Sequence, residues 1–257
     1  MAAFITCNFH SDAINCNTCI NVILPQEDAD DIHGKRLYPT LYLLHGYTGN
    51  HTDWMRLTSI ERYARQYKLA VVIPDVHNSF YCDFPGLASG YQYWKYVSSE
   101  LIEITRRFFP LSNKREDTFV AGLSMGGFGA FKCALNCPDV FSSGASLSGA
   151  LDVVNDIASD DIKKESELLF GSFDKLKGGI NDLFAMAQKT SKLPVKPKLY
   201  QYCGTEDFLY KGNVRFRDFI RNLGYDYTYE ETPGDHNWIY WDKQIEKYLG
   251  MLNLEKM

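Results

Sequence analysis

Long cationic runs are missing from this 257-residue chain, whose formal net charge is −5. No stretch of Lys and Arg is long enough to follow a phosphate backbone, so nucleic acid is not expected as a partner. Also missing is any run of 18 apolar residues, and no segment is expected to span a membrane. The opening "MAAFITCNFHSDAINC" has neither a basic n-region nor an apolar h-region and does not read as a secretory signal. Cysteine is sparse, odd in number at seven, and scattered, which predicts reduced thiols in a cytoplasmic protein rather than a disulfide framework. Cys16 and Cys19 form one C-x-x-C. No second pair with metal spacing follows, so no metal site is expected. Internal repeats and low-complexity segments are absent too.

What is present is an ordinary soluble balance with a surplus of aromatics, 17 Tyr and 16 Phe, a composition that favours aromatic-lined clefts. Continuous apolar runs dominate the pattern. "CINVILPQ" (19–26), "YPTLYLLHGYTGN" (38–50), "LAVVIPD" (69–75), "DTFVAGL" (117–123), "FSSGASLSG" (141–149) and "VKPKLYQYCG" (195–204) read as strands, and "YDYTYEET" (225–232) as an alternating one. Runs without alternation point to strands buried on both faces, as in a parallel sheet. Helical spacing occupies 59–68, 93–110, 125–138, 213–224 and 238–252. Strands alternating with helices predict an α/β fold, a mostly parallel central sheet flanked by helices. In such sheets ligands bind at the carboxyl ends of the strands. Residues 150–194 interrupt the alternation with Asp- and Lys-rich helical pieces. They are expected to form a small helical cap inserted within one domain spanning 1–257.

Gly122-Leu123-Ser124-Met125-Gly126 fits G-x-S-x-G, with a strand before it and a helix after it. Small residues on both sides allow a tight turn that pushes the Ser124 hydroxyl outward. The Met125 amide then sits at a helix N-terminus, where free N–H groups favour an anion such as a tetrahedral intermediate. A serine needs a base and an orienting acid, in the chain order Ser, Asp or Glu, His for this architecture. His236, in "TPGDHNW", is the one histidine after Ser124 and is the candidate base. In "GTEDFLY", Asp207 is the first choice for the acid and Glu206 the second; Asp235 is too close in sequence to face His236 well. A base placed before the serine would have to be His45, His51 or His77. His45 closes its strand and instead shapes the next loop, where the Tyr47 amide, with Gly46 next, is the candidate second oxyanion donor. Trp54, Phe80, Tyr91 and Phe208 are candidate pocket residues.

"LLHGYTGN", "GLSMGGFGAFKCAL", "GTEDFLY" and "PGDHNW" together resemble the esterase D-like branch of the α/β-hydrolases, nearest the tributyrin and feruloyl (cinnamoyl) esterases. The likeness spans nearly the whole chain. It implies an α/β-hydrolase fold, a Ser124–Asp207–His236 triad, no cofactor, small-molecule ester substrates and assembly into homo-oligomers. The implied reaction is hydrolysis of short-chain or aryl esters through an acyl-enzyme. The alternatives are a thioesterase of the S-formylglutathione hydrolase type and a non-catalytic ligand-binding homologue.

Overall fold

A computed structural model describes residues 2–26, 36–84, 90–156 and 163–255 of the chain. Eight strands form one sheet: β1 (Ala2–Ser11), β2 (Cys16–Pro25), β3 (Thr40–Leu44), β4 (Ala70–Pro74), β5 (Thr118–Leu123), β6 (Ser143–Leu147), β7 (Lys198–Gly204) and β8 (Tyr227–Thr232). Their spatial order is β1-β2-β4-β3-β5-β6-β7-β8. The pairs from β4 through β8 are parallel; β1 with β2 and β2 with β4 are antiparallel.

The continuous apolar runs are the inner strands. Every residue of β3, β4 and β5 is buried. Successive side chains go to opposite faces, as pleating requires. Tyr42 and Leu44 enter the core cluster on one face, and Leu41 and Leu43 that on the other. The second of these lies under α1 (Asp53–Leu57), α2 (Ile60–Gln66) and the C-terminal helix. The first is closed by the helices in between. These are α3 (Tyr93–Lys95), continued by a π-helical turn at Tyr96–Glu100 and α4 (Leu101–Phe108); α5 (Met125–Asn136); and, further on, the helices at Leu183–Thr190 and Tyr210–Ile220.

The opening residues, unassigned from sequence, are the edge strand β1. Ile5, Cys7 and Phe9 pack against the core, while Phe4, Thr6, Asn8 and His10 face solvent, the period of two expected at an edge.

Between β6 and β7 lie α6 (Val153–Asp156), α7 (Lys163–Phe170), α8 (Phe173–Leu176) and α9 (Leu183–Thr190). Residues 157–162 of the expected cap fall outside the described residues. The second half of the segment packs on the body. Met186 and Ala187 of α9 join the core cluster shared with α5, and Thr190 Oγ1 donates to Leu135 O at 2.6 Å. The chain returns through β7, α10 (Tyr210–Ile220) and β8 to α11 (Trp238–Met251).

Candidate active site

The register of β3 against β5 sets the site. Leu44 pairs with Gly122, so both strands end together and the loop after β3 runs beside Ser124. Ser124 itself has φ 54° and ψ −119°. For a non-glycine residue this backbone costs about 1–3 kcal/mol and is found where the surroundings over-determine it. Three main-chain bonds do so here. Ser124 N donates to Leu147 O at 2.9 Å, and Ser124 O accepts from Phe128 N at 3.1 Å and Ala150 N at 3.2 Å. The two motif glycines are required by contact. A Cβ on Gly122 would lie 2.3 Å from Gly126 O, and one on Gly126 would lie 2.4 Å from Leu44 O.

Past β3, His45 is fully buried. Its Nε2 accepts from Val76 N at 3.1 Å, so the ring hydrogen is on Nδ1, which donates to Gly46 O at 2.8 Å. Burial pushes the His45 pKa below its ordinary value, holding the ring neutral in that tautomer. Gly46 O also accepts from Gly49 N at 3.2 Å. In a planar trans peptide the N–H of the next residue points opposite to the carbonyl. The Tyr47 amide is thereby turned away from the imidazole. A Cβ on residue 46 would lie 3.6 Å from Ser124 Cβ, so this peptide borders the serine. His45 is thus committed to bracing the loop.

After β7, Asp207 is buried, its Oδ1 accepting from Leu209 N at 2.8 Å and its Oδ2 paired with His236 Nδ1 at 2.8 Å. The carboxylate therefore accepts a hydrogen bond from Nδ1–H, which keeps the proton on Nδ1 and leaves Nε2 free. Glu206, the second choice for the acid, does something else. Its N donates to Gly234 O at 3.1 Å and its carboxylate accepts from Gly234 N and from Thr205 Oγ1. These bonds hold the Glu206 pKa below the usual carboxylate value. The loops after β7 and β8 are therefore stitched together next to His236. Among the described residues no hydrogen bond joins the Ser124 hydroxyl to His236; such contacts are often long until substrate is bound.

The candidate pocket residues separate. Phe80 is half-buried, with its ring centroid 5.9 Å from Tyr47, 6.0 Å from Phe128 and 5.4 Å from Phe170. Phe128 is one helical turn beyond Ser124, so this aromatic cluster borders the serine. Phe128 lies in an apolar helical run with no signal that sets it apart from core, while Phe170 is one of three aromatics, with Phe173 and Phe184, in the segment expected to form the cap. Phe208 is exposed and its ring lies 4.5 Å from that of His236.

Trp54 and Tyr91 make other contacts. Trp54 has no exposed surface and donates its indole N–H to Leu44 O. It begins a row of rings, Trp54 to Trp238 at 5.3 Å, Trp238 to Trp241 at 5.2 Å and Trp241 to His236 at 4.8 Å, that backs the histidine from below. Tyr91 is held to the β1–β2 turn by its N–H to Ile14 O at 3.4 Å. That turn lies beyond β4 and β3 from β5. Among the described residues no group of three or more His, Cys, Asp or Glu is placed to hold a metal ion.

The sheet order and the groups gathered at its carboxyl end define an enzyme of the α/β-hydrolase fold, in the serine hydrolase class. Residues 11–252 match the family model described as "Putative esterase". An acetyl esterase of Caldicellulosiruptor saccharolyticus is 36% identical over 259 residues, covering 95% of each chain. Two Staphylococcus aureus structures are each 36% identical. The fluorophosphonate-binding serine hydrolase F, substrate bound, has a TM-score of 0.88 with 98% of both chains covered. An S-formylglutathione hydrolase without ligand has a TM-score of 0.86, covering 98% of this chain and 99% of its own. The chain belongs to this esterase family and is a serine carboxylesterase.

Proposed function

We propose that Ser124 attacks the carbonyl carbon of short-chain and small aryl carboxylic esters, with His236 as base and Asp207 as its orienting acid. The carrying observation is the 2.8 Å Asp207–His236 bond held at the same end of the sheet as the strained Ser124 turn. His236 Nε2 takes the serine proton and returns it to the departing alcohol. Water then enters by the same route and releases the acid. The amides of Met125, first residue of α5, and Tyr47 hold the oxyanion. Tyr47, Phe80, Phe128 and Phe170 wall one side, and Phe208 covers the other beside His236. Segment 150–194 acts as the cap through Phe170.

Hydrolysis of an S-formyl thioester is the second reading, favoured by the likeness to the Staphylococcus aureus S-formylglutathione hydrolase. Glutathione leaves as a net anion, whereas the groups around His236 include the carboxylates of Glu206 and Asp235 and the exposed ring of Phe208. Neutral oxygen esters therefore fit better. Seven free thiols suit a reducing compartment. Self-association belongs to the same proposal and is read by light scattering.

Ser124→Ala is expected to abolish hydrolysis of p-nitrophenyl acetate and butyrate and fluorophosphonate labelling, with an unchanged melting curve. Side-by-side kcat/KM values for methyl ferulate and S-formylglutathione decide between the two substrate classes. Activity persisting in Ser124→Ala sinks the assignment.

A further inference from the structure

Lys132 lies two turns along α5 from Ser124 and has no exposed surface. Among the described residues no carboxylate pairs with it. Nζ instead donates to Tyr81 O at 2.7 Å and to Cys82 Sγ at 3.3 Å, and lies 4.7 Å from the centroid of the Trp94 ring. A lysine buried on such terms is costly, and a carbonyl and an aromatic face offset that cost only in part.

A second unfavourable feature occupies the same place. Phe80 and Tyr81 are adjacent, bulky and non-glycine, yet have φ of 50° and 54°. Backbone of this kind persists only where neighbours impose it. Lys132 supplies one such constraint through the Tyr81 carbonyl. Its helix supplies another at Gly129, where a Cβ would lie 2.4 Å from the Tyr81 ring. Turned this way, Tyr81 donates its hydroxyl to His45 O at 2.8 Å, and Phe80 projects its ring among Tyr47, Phe128 and Phe170. Cys82 Sγ continues the tie: it lies 3.0 Å from Phe80 O and 3.3 Å from Asn181 Oδ1, and its single S–H donates to one or the other. One buried amine thus fastens the pocket wall, the strand leading to the oxyanion loop and the segment between β6 and β7.

We infer that Lys132 is a positioning residue that sets acyl-chain selectivity by holding the strained Phe80–Tyr81 turn. The inference rests on the esterase reading for its kinetic consequence and on geometry alone for its structural one.

Lys132→Met keeps the length of the chain and removes the donor. The ratio of kcat/KM for p-nitrophenyl acetate to that for the octanoate is expected to fall about tenfold, the scale on which a hydrophobic pocket discriminates chain length. Hydrogen exchange at the Tyr81 and Cys82 amides is expected to speed up. Lys132→Gln, which retains a donor, gives a smaller fall and serves if the Met variant does not fold. Phe80→Ala, at a half-buried position, should reproduce the lost selectivity with Lys132 intact. An unchanged ratio in the Lys132 variants overturns the inference, as does an unchanged ratio in Phe80→Ala. If the wild-type enzyme hydrolyses no acyl ester, the esterase reading fails, and exchange at 81 and 82 alone decides: unchanged protection in Lys132→Met means that Lys132 does not hold the turn.

Discussion

At the scale of single residues, one backbone conformation and two tautomers carry the site. Ser124 is held at positive φ by three main-chain bonds, and His236 is fixed by Asp207 with Nε2 left free. His45 is the less obvious member. Its neutral ring accepts from Val76 N and donates to Gly46 O; if the ring protonates, the Nδ1 bond persists but the Val76 bond fails, because Nε2 would then be a donor facing a donor. Its pKa is depressed by burial below the ordinary 6.5. The sign follows from linkage: the unfolded chain binds a proton at His45 before the folded one does. The contribution to stability is therefore complete above the unfolded value and is lost as pH falls from there through the folded value. Urea melts of wild type and His45→Gln should show a wild-type stability decline below about pH 6.5 that is shallower in the variant. Parallel pH dependence of the two would show that His45 is not the group responsible.

At the scale of elements, the acid and the base come from different loops, and their approach is only as exact as the joint between those loops. Glu206 makes that joint, bonding both polar backbone groups of Gly234, two residues before His236. Glu206→Ala should lower kcat by about tenfold to a hundredfold, the cost of misplacing a catalytic group by a fraction of an ångström to an ångström. KM should stay near the wild-type value, because Glu206 is exposed beside the base rather than in the pocket wall. Glu206→Gln keeps an acceptor for Gly234 N and should restore most of the rate. Steady-state kinetics on one ester separate these outcomes. Loss of rate in both variants alike would mean that the negative charge, not the joint, is what matters.

At the scale of the molecule, one sheet separates two cores, and the segment between β6 and β7 is anchored to the first of them. Phe216 of α10 is fully buried, with ring centroids 5.5 Å from Phe131 of α5 and 5.2 Å from Phe184 of α9. It therefore bonds body and insertion into one packed layer. Phe216→Ala removes that ring and should destabilise the protein by about 3–5 kcal/mol in urea unfolding, as a single transition. A separate early transition would instead mean that the insertion folds apart from the sheet.

Much of this was readable in the linear chain. Unbroken apolar runs predict strands buried on both faces because a parallel sheet covered by helices gives no residue a wet side. The small residues around Ser124 announce the turn because only backbone fits where α5 meets β3. Chain order alone singled out His236. Tertiary structure decided what local pattern could not. Trp54 and Phe80 carry the same aromatic signal in sequence, yet helix α1 packs Trp54 into one core cluster while the strained turn after β4 sets Phe80 against the other, among Tyr47, Phe128 and Phe170. Which carboxylate of Glu206 and Asp207 meets the histidine depends on how two loops cross, a long-range contact invisible to neighbouring residues. Lys132 reads as one polar residue in an apolar helix until the 80–81 turn is brought against it.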